Sequence, residues 1–267
     1  MIPRVLARRH QRSRQRWSSL RVLLWLFVLG GTGLVVVQDA AYGVPRETQQ
    51  EKTRNLQQQA KGGLFQKWTF DKDQPSTVPT GFTDHPSAQP PAQWMVQGDS
   101  TAPTLPNVVT GTSACESCYQ LLLVDGLEYE YPDLSIRVRA SNDMAGTGGI
   151  ILGAKDRENF YAAVVDFHAA QAFVTRMVDG QETLLARAAV NLKPVDWHSL
   201  RVQRNTIISK DFIEVFVDGV LVLSVEDQAL GLGQVGLVIR GKTSTFFDSF
   251  HAVPLFSHRP LSTPPAY

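Results

Sequence analysis

The C-terminal half of the sequence is written in period two. In GQVGLVIRGKTSTFFDSFHAVPL, residues 233 to 255, Val235, Leu237 and Ile239 alternate with Gly236, Val238 and Arg240. That is the pattern of a strand with one face more deeply buried than the other. Phe246, Asp248 and Phe250 then alternate with Phe247, Ser249 and His251, so a regular strand here sets an aspartate in a row with two phenylalanines. The same texture runs upstream through LSIRVRA (134 to 140), GGIILGAK (148 to 155), FYAAVVDF (160 to 167), AFVTRMV (172 to 178) and TLLARAAV (183 to 190). It continues in WHSLRVQR (197 to 204), FIEVFV (212 to 217) and VLVLSV (220 to 225). Asp179-Gly180 and Asp218-Gly219 separate neighbouring runs as type I′ hairpin turns. No stretch sustains a helical period. So many short antiparallel strands predict an all-β, two-sheet jelly-roll sandwich, because an open sheet this wide curls or splits into two layers.

Upstream the pattern is thinner. FQKWTFD, residues 65 to 71, is a short alternating strand that opens the domain, and the Pro/Ser/Thr-rich passage from Pro75 to Pro91 reads as a long loop. Trp94-Met95-Val96 and Leu121 to Val124 are the next strands, with residues 98 to 119 between them reading as turn-rich.

Charge divides the chain. Residues 1 to 43 hold seven arginines and one acid, Asp39, which leaves 19 basic and 24 acidic residues in the remainder. A domain of that balance lacks the basic surface of a nucleic-acid binder. The arginines flank VLLWLFVLGGTGLVVV, residues 22 to 37, an uncharged apolar run. As a helix it reaches about 24 Å, against a hydrocarbon core of roughly 30 Å. Ala41-Tyr42-Gly43 follows, with small residues at the two positions a signal peptidase reads, so cleavage falls before Val44. The rival is an uncleaved anchor with its arginines on the cytoplasmic side. Both readings export the domain to the cell envelope, periplasmic or extracellular, and the second ties it to the membrane through residues 22 to 37. A core helix at this place leaves the basic flank unexplained. Residues 44 to 63 are a polar spacer, 64 to 255 the sandwich and 256 to 267 a tail.

The order of these runs carries a resemblance. A Gly-apolar strand ends in an acidic-x-x-Asn-aromatic-Tyr turn (Asp156, Asn159, Phe160, Tyr161), followed by a Trp-x-x-Leu-x-apolar strand (Trp197, Leu200, Val202). Next come an apolar strand ending in Asp218-Gly219 and a closing Gly-x-Val-Gly-Leu…Phe-Asp-x-Phe over residues 233 to 250. In these features the chain resembles the concanavalin A-like lectin/glucanase superfamily, more narrowly its exported jelly-roll domains of the 3-keto-disaccharide hydrolase type, and is similar to laminin-G-like domains. The resemblance implies that the closing FDSF strand returns beside the WTFD strand around Trp68 to Asp71. Asp248 then has two readings. Its carboxylate satisfies backbone or hydroxyl groups at that junction, as a buried carboxylate must, or Asp71, Asp73 and Asp248 supply oxygen ligands to calcium.

Laminarinase-type relatives carry a Glu-x-Asp-x-Glu row on one strand; here Glu128-Tyr129-Glu130 is the nearest approach, and Pro132 cuts it short. Gly153 stands where many relatives have a bulky or basic side chain. Cys115-Glu-Ser-Cys118 is followed by Tyr119, which excludes covalent haem attachment, and the six histidines supply no paired spacing for zinc. In an oxidising compartment the pair reads as a short structural disulfide. No Gly-x-Ser-x-Gly elbow occurs, and Trp197 reads as a core residue. The leading expectation is a non-catalytic module that holds a saccharide or another cell-envelope component on its concave sheet, with Tyr161, Arg176 and Lys242 as polar lining and no cofactor beyond calcium. A glycoside hydrolase and a structural domain without a small ligand are the alternatives.

Overall fold

In the computed structural model the described residues are 65–86, 90–141 and 146–255. The expected signal or anchor, the spacer and the tail lie outside them. Two antiparallel sheets account for the described strands. Sheet A runs β13 (Val220–Glu226), β12 (Lys210–Val217), β11 (His198–Ile207), β6 (Pro132–Ala140), β15 (Thr243–Pro254), β4 (Asn107–Ser113) and β3 (Gln93–Gly98), with β1 (Gln66–Trp68) added beside β15. Sheet B runs β10 (Gln181–Ala189), β9 (Gln171–Val178), β8 (Asn159–Asp166), β7 (Thr147–Asp156), β14 (Gly233–Arg240), β5 (Tyr119–Tyr129) and β2 (Phe82–His85).

Alternation decides what meets between the layers. From sheet A come Leu134, Ile136 and Val138 of β6, Leu200 and Val202 of β11, and Ile213 and Val215 of β12. Sheet B answers with Ile150 and Leu152 of β7, Tyr161 and Ala163 of β8, and Val235, Leu237 and Ile239 of β14. The residues between these point the other way, as a period of two requires. Both Asp-Gly turns have positive φ at each position: Asp179 at 50°, Gly180 at 73°, Asp218 at 49° and Gly219 at 81°. These are the type I′ values that the sequence demanded.

Three local readings change. The passage from Pro75 to Pro91 contains β2, whose Phe82 is buried in the core while Thr83 faces out. Residues 98 to 119 contain β4, hidden in text by its Thr and Gly content. It lies between β15 and β3 with Val108 and Val109 fully buried. Its Gly111 lets the Trp94 ring lie flat against the strand, since a Cβ there would sit 2.6 Å from that ring. In β15 the row of Phe246, Asp248 and Phe250 is broken: the pairing with β6 shifts between Asp248 and His251, and Ser249 takes φ 51°. One extra residue flips the alternation, so Phe247 and Phe250 both enter the core. The expected junction does form, with Trp68 opposite Phe250 in the ladder and their rings stacked at 5.4 Å.

Candidate functional site

Register fixes which side chains share the outer face of sheet B, because directly opposed residues point the same way. Leu121 and Leu123 of β5, Val238 of β14, Ile151 of β7 and Phe160, Ala162 and Val164 of β8 form a second apolar cluster there, with Phe173 and Met177 of β9 packed on it. The Tyr119 hydroxyl at the start of β5 lies 3.0 Å from Thr175 Oγ1 of β9 and donates to Glu182 Oε1 of β10 at 2.7 Å. Three strands lie between β5 and β9. At about 4.8 Å per strand, a flat sheet would hold them roughly 19 Å apart, beyond the reach of any tyrosine. Sheet B is therefore curled, and its outer face is the concave one. Arg240 of β14 completes a clasp across it, donating to Glu182 Oε2 at 3.2 Å, with its guanidinium 5.3 Å from the Tyr119 ring centre and 5.8 Å from that of Phe173. Burial pushes the Tyr119 hydroxyl well above its ordinary pKa, so it stays protonated and donates.

Beside the clasp opens a cavity of about 420 Å³. Phe173, Glu182 and Arg240 belong to its wall, joined by Asp166, Gln171, Leu184 and Arg187. A bulge between Leu184 and Ala186 delivers Arg187 to this face. Before the bulge Glu182 and Leu184 point outward; after it Arg187 does, directly opposite Phe173. An unbroken strand would turn Arg187 toward the core. Asp166 Oδ1 accepts the N–H groups of His168 and Ala169, both at 2.9 Å, and so fixes the turn into β9. The cavity thus combines an aromatic plane with fork-shaped and amide donors and fixed carboxylates.

The residues named from sequence divide between places. Tyr161 and Arg176 face each other across β8 and β9 and meet at one carboxylate: Asp227 accepts from the Tyr161 hydroxyl and, at 2.6 Å, from Arg176. Tyr161 is fully buried among the core side chains. Burial, then the Asp227 hydrogen bond, pushes its hydroxyl far up. This pair lies at the opposite end of β8 from Asp166, about 17 Å along the strand. Lys242 is exposed in the turn after Arg240, near the cavity end but outside its wall.

Asp248 is fully buried and accepts from Thr104 N–H and Thr104 Oγ1, both at 2.7 Å, and from Ser249 N–H at 2.6 Å. Burial raises its pKa, the hydrogen bonds oppose that rise, and the Asp71 charge adds to it. Asp71 accepts weakly from Asn107 N–H at 3.5 Å, and Asp73 Oδ1 from Thr80 N–H at 3.4 Å. Calcium takes six to eight oxygens, whereas no group of three or more candidate ligands occurs among the described residues. Cys115 and Cys118 are a close pair between β4 and β5. Trp197 is half-exposed rather than core. Its ring lies 5.1 Å from the Arg139 guanidinium on the outer face of sheet A, and Arg139 is also ion-paired to Asp99 at 2.6 Å. Gly153 has φ 63° beside a register shift in β7, a backbone that a bulky side chain would strain.

Phe173, Glu182, Arg187 and Arg240 escaped the sequence reading. The alternation Gln171, Phe173 marked a shared face on β9, but only the curl of sheet B and the bulge in β10 bring the rest to it.

No protein-family model matches the sequence, and the search of curated proteins gives no match. Among solved structures the fold is similar to the carbohydrate binding module CBM66 from Bacillus subtilis, with TM-score 0.52 and 17% identity over 64% of this chain and 94% of that one. It is also similar to a protein of unknown function with a galectin-like fold from Bacillus subtilis, with TM-score 0.50 and 9% identity over 71% of this chain and 96% of that one. At such identities the likeness shows a shared lectin-like β-sandwich fold.

Proposed function

We propose that the chain is a saccharide-binding β-sandwich module whose site is the cavity on the concave face of sheet B. The observation that carries the reading is the half-exposed Phe173 ring with Arg187 opposite it and Arg240 5.8 Å from its centre, in a cavity that Gln171 also lines. A sugar ring presents an apolar C–H face and a rim of hydroxyls. The first lies on an aromatic plane, and the second takes hydrogen bonds from planar polar groups. Glu182 is already engaged by Tyr119 and Arg240, so it acts as a fixed acceptor. The likeness in fold to a carbohydrate binding module is compatible with this reading.

A glycan array on the chain, repeated with Phe173→Ala and Arg187→Ala, tests it. Retention of a defined glycan that both substitutions abolish supports the site. Failure to retain any glycan, or retention that neither substitution weakens, rejects it. Tyr161→Phe serves as the control at the far end of β8: its hydroxyl binds Asp227 away from the cavity, and glycan retention should survive its loss.

A further inference from the structure

We infer that the Cys115–Cys118 bridge is a redox latch on this cavity. Closed, it holds the Tyr119 and Arg240 side chains against Glu182 across the concave face; opened by a dithiol reductant, it loosens that end of the sheet, lets both side chains leave Glu182 and weakens ligand binding. The inference rests on the saccharide reading for its ligand and gives that site a regulation.

Two of the three clasp residues hang on the same four-residue loop. Cys118 directly precedes Tyr119, and its carbonyl accepts the N–H of Gly241 at 2.9 Å, the residue directly after Arg240. Gly241 is also pressed against the loop, since a Cβ there would sit 3.1 Å from the Glu116 carbonyl oxygen. Gln120 Nε2 donates to Cys118 Sγ at 3.5 Å, and the Cys115 N–H donates to Ser113 Oγ at 3.2 Å, so the loop is tied at both ends. Glu182, the third member, stands on the opposite wall at edge strand β10 and meets this side of the cavity through Tyr119 and Arg240. The clasp therefore has one hinged side, and the cystine is its pin.

The bridge is open to chemistry. Both cysteines are partly exposed, with Glu116 and Ser117 between them in solvent. A dithiol reduces it by thiolate attack on one sulfur, which forms a mixed disulfide and releases the other cysteine. The second thiol of the reductant then displaces the first cysteine. Two electrons and two protons pass to the protein, leaving two thiols, and the reductant leaves as its own disulfide. Backbone pairing of Tyr119 with Arg240 in the ladder survives, so the sheet persists while its end is loosened.

The test compares the oxidised chain with chain reduced by dithiothreitol and alkylated. The glycan chosen by the array is titrated into each, and amide hydrogen exchange is followed by mass spectrometry. Reduction should weaken binding by about fivefold or more and speed exchange around residues 118 to 121 and 240 to 242, while β6 and β11 keep their protection. The Cys115→Ser/Cys118→Ser double variant should match the reduced chain in both buffers. Unchanged affinity together with unchanged local exchange overturns the latch. A uniform loss of protection that includes β6 and β11 overturns it too, since it would mark a merely structural crosslink. If neither form retains a glycan, the saccharide reading fails, and local exchange alone decides the latch.

Discussion

The Tyr119 hydroxyl donates to Glu182 at 2.7 Å although four strands lie between their own in sheet B. This contact exists only because the sheet curls, and it gives the curl a measurable stability. Tyr119→Phe removes that hydroxyl from the buried Thr175 and from Glu182 at the cavity wall. The expected cost is about 1–2 kcal/mol in urea unfolding. A variant as stable as the parent would mean that the concave face is held open by packing alone.

Close strand approach in the same sheet sets a second expectation. A Cβ on Gly149 would lie 2.0 Å from the Ala163 carbonyl oxygen, which is backbone and cannot swing aside. Gly149→Ala should therefore destabilise by on the order of 3 kcal/mol. Gly231→Ala meets nothing within 4 Å and should stay within about 0.5 kcal/mol of the parent. Similar midpoints for the two variants would contradict the packing described for β7 and β8.

The His198–Asp218 pair makes stability depend on pH. His198 Nε2 lies 3.0 Å from Lys193 N and 3.1 Å from the Lys193 carbonyl oxygen, and Nδ1 lies 2.7 Å from Asp218. Burial pushes the Asp218 carboxyl up, but hydrogen bonds from His198 and Ser199 and the nearby positive charges outweigh it and hold the group below the usual carboxylate range. A depressed folded-state pKa contributes stability above the unfolded value of about 4, and that contribution is lost as pH falls through the folded value. Asp218→Asn should thus lower the Tm at neutral pH, and the gap to the parent should close once the pH has fallen through the depressed folded-state value. A gap that persists there would assign the effect to lost packing.

Asp248 should behave as a hydrogen-bonded carboxylate, not as a metal ligand. Neither millimolar calcium nor a chelator should move the Tm of the chain. Asp248→Ala strips the acceptor from Thr104 and Ser249 N–H groups in a buried place and should cost about 3 kcal/mol. A Tm that rises on adding calcium would restore the metal reading.

Strands were legible in the sequence wherever one face met the core and the other met water, as in LSIRVRA, whose Leu134, Ile136 and Val138 are buried between half-exposed neighbours. They were equally legible as apolar runs in sheet B, where Phe160 through Val165 are buried on both faces. What a run buried on both sides cannot tell is which face carries the site. The Asp156–Asn159 motif was found, and it closes a turn: Asn159 Nδ2 donates to both Asp156 oxygens at 3.0 and 3.1 Å. Tyr161, read from the same motif as groove lining, points inward instead. The cavity depends on a curl shared by seven strands and on one extra residue in β10, neither of which any local window contains.

The two regular strands that follow one another at the end of the described fold, β14 and β15, do not pair as a hairpin; each lies inside a different layer. β14 lies between β7 and β5 in one sheet, and β15 lies between β6 and β4 in the other. Neither layer has a centre until the last two strands exist, so a nascent chain carries two half-sheets with unpaired inner edges until synthesis passes Pro254. Its contacts are dominated by long sequence separations, which makes folding slow and leaves the unfinished chain dependent on protection from aggregation. Removing even the final strand would not trim an edge; it would split sheet A down its middle.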